Sequence, residues 1–306
     1  MRKPCSNYKK QQRMTIVFFA HGGEAFLNEV TFALLSYYQH HRTDENKIVI
    51  YTDNVAHFQQ LLPSQITYIS VTPAQIKQWR GTIDFVHRVK IEVLRDAFQR
   101  FPQETFLYLD SDVYFKENIS FLETKINEGT PVMSLKEGVI FKSNLRHFKT
   151  LASYLKLHQN TIAVAPPIVV APQQAMYNAG IIGLSPSDNF VVERALTVTD
   201  FLHPSIDNHV TEQFAFTVLL SQKGAIYEAE PHIHHYWYFK EFREVITQFL
   251  QENKEKSFET LVALSANYNP EYMGSEKLAY KQMNFWQKLI QKITKGRKWK
   301  IIYPSK

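Results

Sequence analysis

The run Phe106-Leu-Tyr-Leu-Asp-Ser-Asp-Val-Tyr-Phe115 limits the architecture more than any other stretch of the chain. Its apolar and aromatic residues read as a strand buried on both faces, the kind found in α/β sheets covered by helices. Two aspartates one residue apart follow it. Like charges that close repel, so Asp110 and Asp112 need a cation or a protonation shift to offset the cost. Similar apolar runs stand at 15–20, 47–52 and 66–71. Helical spacing appears at 24–39, through Phe26, Leu27, Val30, Ala33, Leu34 and Tyr37, and at 84–101, through Val86, Val89, Ile91, Val93, Leu94 and Phe98. Strand, helix, strand, strand, helix, strand predicts a mainly parallel α/β sheet. Ligands of such sheets bind outside the carboxyl ends of the strands, where the aspartate pair falls.

Further along, 132–135 and 177–185 read as strands and 225–230 as a shorter one, with helices near 143–158, 189–202 and 211–222. Residues 241–306 carry helical patterns without strand alternation. With no repeat or low-complexity linker, the simplest partition is a basic N-terminal tail (1–13), one compact domain (14–240) and a helical C-terminal region (241–306).

The net charge of +6 hides a segregation. Residues 277–306 hold nine Lys or Arg and 1–13 hold five, with no acid in either segment. Taking these away from +6 leaves the body between them at −8. A nucleic-acid enzyme carries its positive charge along a groove of the folded body, so that class is disfavoured. The single cysteine, Cys5, argues for a reducing compartment. No stretch reaches membrane-span length, and the basic N-terminus leads into no signal-like apolar run, so the cytoplasm is expected.

Four constellations bear on chemistry. An isolated Asp-x-Asp is often an ordinary cap, but two carboxylates at a strand end also suit Mg²⁺ or Mn²⁺, which prefer hard oxygen ligands. His232, His234 and His235 stand beside aromatic residues and Lys240; histidine completes metal sites and lysine offers a point charge to phosphate. Asn178 and Gly180 open an apolar strand. Glu212 and Gln213 start an apolar helix, where the dipole favours an acid.

In this order, "YLDSD", "YNAG", an acidic-Gln pair and His-x₅-Lys resemble the GT-A glycosyltransferases, most of all glycosyltransferase family 8, which includes glycogenins and bacterial lipopolysaccharide galactosyl- and glucosyltransferases. The resemblance covers roughly 14–240 and implies that this stretch is the catalytic domain, with a nucleotide-binding part (14–115) and a sugar and acceptor part (116–240). It implies a GT-A fold and transfer of a hexose, with retention, from a nucleoside diphosphate sugar, UDP by default, to a glycan or lipid-linked acceptor. It further implies Mn²⁺ or Mg²⁺ held by Asp110, Asp112 and His234, and a diphosphate gripped by Lys240. Asn178, Ala179 and Gly180 would line the donor-sugar pocket, with Ala20, His21, Asp53 and Ser111 around the donor and Arg88 or Lys90 reaching it. Gln213 would sit near the reacting carbon, with Glu212 in place of the usual aspartate.

The chain also departs from the family. Trp237 stands where the family's His-x-x-Gly-x-x-Lys has glycine, and no Pro-Trp follows the lysine. Either that loop is built differently, or His235 or His232 is the ligand. The first loop, "AHGGEAF", lacks the aspartate many relatives carry there. A sugar nucleotidyltransferase shares the layout but wants a basic, glycine-rich loop after the first strand. A non-catalytic nucleotide-sugar-binding protein is the other alternative. Finally, Phe285, Trp286, Leu289, Ile290 and Ile293 fall on one face of a C-terminal helix with lysines elsewhere, a pattern expected to place the protein peripherally on an anionic membrane surface at its inner face.

Overall fold

A computed structural model describes residues 14–43 and 45–303. The N-terminal basic tail (1–13), with Cys5, lies outside them. Strands β1 (Met14–Ala20), β2 (Lys47–Thr52), β3 (Thr67–Ser70) and β4 (Thr105–Leu109) form the first half with helices α1 (Glu24–Tyr38), α2 (Val55–Gln59), α3 (Pro73–Trp79) and α4 (Arg88–Arg100). The second half adds β5 (Val113–Phe115), α5 (Ser120–Asn127), β6 (Val132–Met133), β7 (Lys136–Val139) and α6 (Arg146–Leu157). There follow a small hairpin, β8 (Thr161–Ile162) and β9 (Ile168–Val169), then β10 (Ala175–Tyr177), β11 (Ile181–Leu184), α7 (Asn189–Ile206), α8 (Thr211–Ser221), β12 (Tyr227–Glu228) and β13 (Ile233–His235). Five helices close the chain: α9 (Phe242–Glu252), α10 (Phe258–Ser265), α11 (Pro270–Met273), α12 (Ser275–Gln282) and α13 (Phe285–Lys295).

The seven-stranded sheet runs β12-β6-β11-β4-β1-β2-β3. Strands β4, β1, β2 and β3 are parallel, and β11 runs against both β4 and β6. The sheet is thus mainly parallel, with helices on both faces. Side chains of a strand alternate between faces, and the alternation separates two cores. Ile16, Phe18, Ile50, Leu107 and Leu109 meet Leu27, Val30, Leu34 and Tyr37 of α1. Val17, Val49, Tyr51, Phe106 and Tyr108 meet α4, α7 and α8. Because β1 pairs with β2 on one side and β4 on the other, the chain winds outward in both directions from the β1–β4 pair. The crevice at its carboxyl end is where open sheets bind ligands.

The C-terminal helices are part of this body. Phe32 and Leu35, on the outer side of α1, share a third core with Phe242, Val245, Ile246 and Phe249 of α9, and Trp299 and Ile301 pack against it. With α1 covered on both sides, its residues 27–37 are all buried, the polar Asn28, Glu29, Thr31 and Ser36 among them. Helix α4 begins at Arg88, later than its sequence pattern, and Val86 lies before it, exposed.

Candidate active site

The aspartates sit where the chain leaves the main sheet. After β4 the Asp110 amide donates to the Gly180 carbonyl at 2.8 Å, the last rung joining this edge to β11. Asp112 then leads into β5, which pairs antiparallel with β13 so that Val113 faces His235. This register brings His235 to the aspartates. Its Nε2 lies 3.0 Å from Asp112 Oδ1, and its Nδ1 lies 2.9 Å from Asn178 Oδ1. Both ring nitrogens face oxygens that can accept, which favours the protonated imidazole. Burial opposes that charge, but the Asp112 carboxylate outweighs burial and raises the His235 pKa. Burial likewise opposes charge on Asp112, and His235 overcomes it and lowers the carboxyl.

Gly180 makes this packing possible. A Cβ there would stand 2.2 Å from His235 Cε1 and 2.3 Å from its Nδ1. The Gly180 amide donates to Asn178 Oδ1 at 2.8 Å, and Asn178 Nδ2 donates to Glu137 Oε1 at 3.0 Å, which fixes the asparagine's orientation. Gln213 Nε2 donates to the other Glu137 oxygen at 2.7 Å. A carboxylate only accepts, so the Gln213 nitrogen is held toward Glu137 and its carbonyl oxygen is left for other partners.

Lys90, buried on α4, reaches between the two acidic groups. Its Nζ lies 3.1 Å from Asp110, 3.0 Å from Glu212 and 2.8 Å from the Ala179 carbonyl. Burial disfavours an ammonium, but the two carboxylates outweigh it and the Lys90 pKa is raised. Glu212 is therefore paired with a cation.

The other half of the cleft lies over the loop after β1. Phe19 and His21 stack at 4.7 Å, and with Phe26 and Val86 they line an aromatic and apolar cavity of about 360 Å³ that ends at Asp110, Ser111 and Asp112. Burial first of all lowers the His21 pKa and so disfavours a charged ring in the cavity wall. Arg243, in the first turn of α9, also lines it. Its guanidinium lies over the Phe26 ring at 4.5 Å and donates to Glu29 at 2.8 Å. Ser111 Oγ donates to the other Glu29 oxygen at 2.8 Å. Glu29 is buried, and burial, then the Asp112 charge, push its pKa up to about 7.

Most residues singled out in the sequence meet here, with five exceptions. His234 is turned away from the aspartates: consecutive strand residues point to opposite faces, and β13 gives His235 to the cleft. His234 instead faces Glu230 at 2.6 Å and Tyr238 at 3.2 Å. His232 faces Glu117 and Tyr227. Of Arg88 and Lys90, only Lys90 reaches the aspartates. Residues two apart on a helix lie on different sides, and Arg88 holds Asp200 of α7 through two hydrogen bonds, at 2.7 and 3.0 Å. Asp53 does not line the cleft. Its carboxylate accepts from the Gly22 amide at 2.9 Å and steadies the turn after β1, where Gly22 has φ +86°. Ala20 is buried at the end of β1 rather than in the cavity lining. Lys240 is exposed at the edge of the cleft's second half, alongside Trp237, His87, His147 and His209.

Sequence reasoning missed Glu137 and Arg243. Glu137 belongs to a short edge strand without a motif, and Arg243 lies beyond the presumed end of the domain. The arginine's place at the start of an amphipathic helix directly after the histidine cluster was the one available signal.

Asp110, Asp112 and His235 offer ligand atoms that all lie within 4.8 Å of one another. Two carboxylates and an imidazole within that span fit a divalent cation of the Mn²⁺ or Mg²⁺ type, which would stand in for the proton His235 now directs at Asp112.

No protein-family model and no curated protein matches the chain. Among solved structures it is similar to the glycosyltransferase GlyE of Streptococcus pneumoniae, at 14% identity over 82% of this chain and 62% of that one, with a TM-score of 0.49. It is similar to the galactosyltransferase LgtC, solved with donor and acceptor sugar analogs, at 15% identity over 71% of this chain and 74% of that one (TM-score 0.45). Mouse xyloside xylosyltransferase 1 is similar at 13% identity over 71% and 84% (TM-score 0.46). The chain spans 62% of the length of GlyE.

Proposed function

We propose that this protein is a GT-A glycosyltransferase, a hexosyltransferase that moves a sugar from a nucleoside diphosphate donor to a glycan or lipid-linked acceptor. One observation carries the reading. Asp110, Asp112 and His235 meet Lys90 and Lys240 around one cleft at the carboxyl ends of β1 and β4. Such a cleft suits a substrate with a flat ring, a diphosphate and a polar sugar in sequence. The aromatic half, with Phe19, His21 and Phe26, takes the nucleoside, with uridine the default. Asp110, Asp112 and His235 would hold Mn²⁺ or Mg²⁺, which supplies positive charge to a departing diphosphate. Lys240 forms no ion pair among the described residues, so its ammonium is available to the same phosphates and strengthens as charge develops on them. Lys90, between Asp110 and Glu212, offsets one of their two negative charges and lessens the repulsion the acidic floor would exert on the donor.

The donor sugar lies along Asn178, Ala179 and Gly180 toward Gln213. An amide is a poor nucleophile. With its nitrogen tied to Glu137, Gln213 offers the sugar an oxygen that accepts a hydrogen bond. That supports retention by attack on the face the diphosphate leaves, with the leaving phosphate taking the acceptor's proton. The aromatic and histidine-lined mouth beyond it, Trp237 with His147 and His209, is the place for an acceptor.

The C-terminal helix supports a location. In α13, Trp286, Ile290 and Ile293 are 69%, 59% and 74% exposed, while Lys288, Lys292 and Lys295 lie on the same helix. Among the described residues no helix is long and apolar enough to cross a membrane. An apolar stripe edged by cations suits the interface of an anionic leaflet. We therefore place the enzyme peripherally on the cytoplasmic face, working on lipid-linked acceptors of surface polysaccharide or lipopolysaccharide. The test is release of nucleoside diphosphate from a panel of nucleotide sugars with and without Mn²⁺. Metal-dependent release from one donor supports the reading; no binding or turnover of any donor contradicts it.

A further inference from the structure

Beta strand β13 carries two consecutive histidines, and each meets carboxylates on its own side of the strand. His235 meets Asp110 and Asp112 in the cleft. On the other side His234 meets Glu230 and Glu271, and one ligand atom from each of the three lies within 4.8 Å of the other two. We propose that Glu230, His234 and Glu271 form a second divalent-cation site, behind the cleft, whose ion clips α11 to the strand that presents His235.

The side chains there have the character of ligands. His234 is buried, with Nδ1 2.6 Å from Glu230 Oε1 and Nε2 3.2 Å from the Tyr238 hydroxyl. Both carboxylates act on Tyr238 and, after burial, raise its pKa, so the two negative charges converge on one small volume. The cation now present is Lys116, whose Nζ is 3.1 Å from Glu271 Oε2. An ammonium offsets one charge of the two, whereas a divalent ion offsets both and uses an imidazole that an ammonium cannot. One imidazole and two carboxylates leave a fourth position for water, a set suited to Zn²⁺.

The position gives such an ion a consequence. Glu230 Oε2 also accepts from the His235 amide at 3.5 Å, so it touches the backbone that sets the cleft histidine. Glu271 comes from α11, about forty residues further along the chain. Loading this site would tie the C-terminal helices to β13 and hold His235 in register.

The experiment is Zn²⁺ titration of the full, metal-stripped chain, read by bound equivalents and by the thermal midpoint. Two equivalents are expected. Asp110→Asn/Asp112→Asn should keep one, with a rise in midpoint of several degrees at saturation. Adding Glu271→Gln to that variant should remove it. Glu271 is 45% exposed, so its change spares the fold, and an unchanged midpoint without metal checks that it does. Lys116→Gln removes the competing ammonium and should tighten Zn²⁺ binding several-fold. An undiminished equivalent and midpoint rise after Glu271→Gln, or a single equivalent in the native chain, overturns the proposal.

Discussion

Gly180→Ala isolates the packing on which the metal cluster depends. The added methyl would lie 2.2, 2.3 and 2.7 Å from three atoms of the His235 ring, far inside van der Waals contact. No positive φ is involved, so alanine's backbone preference adds nothing and the effect is steric. The ring is 5% exposed and bonded at both nitrogens, so it cannot yield by a few tenths of an ångström. Either the strand shifts, at the roughly 1–3 kcal/mol typical of overpacking, or the imidazole leaves Asp112. Both outcomes remove a ligand from its place. Disturbing groups that orient metal ligands costs roughly 10–100-fold in affinity, and Mn²⁺ binding should fall within that range. Gly183→Ala is the control. Its Cβ would meet Ile126 at 2.5 Å and Val132 at 2.9 Å, away from the cluster. It should cost similar stability and leave Mn²⁺ affinity unchanged. The assay is Mn²⁺ titration at a temperature where both variants are folded. Native affinity in Gly180→Ala would refute the account of His235.

Lys90→Met strands the buried Glu212 carboxylate, and loss of one partner of a buried pair costs about 3–5 kcal/mol; adding Glu212→Gln should recover more than half in urea unfolding, and simple additivity would argue against the pairing. His41 accepts the Ile119 amide at 3.1 Å and stacks on Tyr37 at 4.2 Å, and burial above all lowers its pKa from 6.5. The unfolded chain therefore takes up a proton that the folded one refuses. The His41 contribution is full above pH 6.5 and declines as pH falls below it, so urea midpoints should fall less steeply with acid in His41→Asn. Trp286→Ser/Ile290→Ser/Ile293→Ser should reduce sedimentation with anionic vesicles more than tenfold, since each buried apolar side chain is worth about 1.5–3 kcal/mol. The thermal midpoint should hold, because all three are exposed. These changes are preferable to truncation after residue 276, which would remove Trp299 and Ile301 from the core they share with α9.

What the sequence conveyed and what it withheld divide along physical lines. The strands of the parallel half, the helices α1 and α4 and the aspartates at a strand end follow from periodicity, which is local. The choice between His234 and His235 depends on the pairing of β13 with β5, more than a hundred residues apart, and a one-residue slip exchanges the two faces. The choice between Arg88 and Lys90 was hidden for the same reason, since it is settled by Asp200 on a distant helix. Gly180, which the resemblance places in a sugar pocket, also makes room for the His235 imidazole, a requirement set by a residue far along the chain. Arg243 escaped because the helical C-terminal region reads as an addition to the domain, although α9 closes one side of the cleft. Trp237 and Lys240 stand at the edge of that cleft, but their spacing alone could not show which way the loop faces.

The measurement that tests the central claim most directly is calorimetric titration of UDP into the native chain, with and without Mn²⁺, beside Asp110→Asn/Asp112→Asn. The account predicts binding that strengthens at least tenfold with Mn²⁺ in the native chain and gains nothing from the metal in the variant. Equal affinity with and without Mn²⁺, or the same metal dependence after both aspartates are changed, would contradict it.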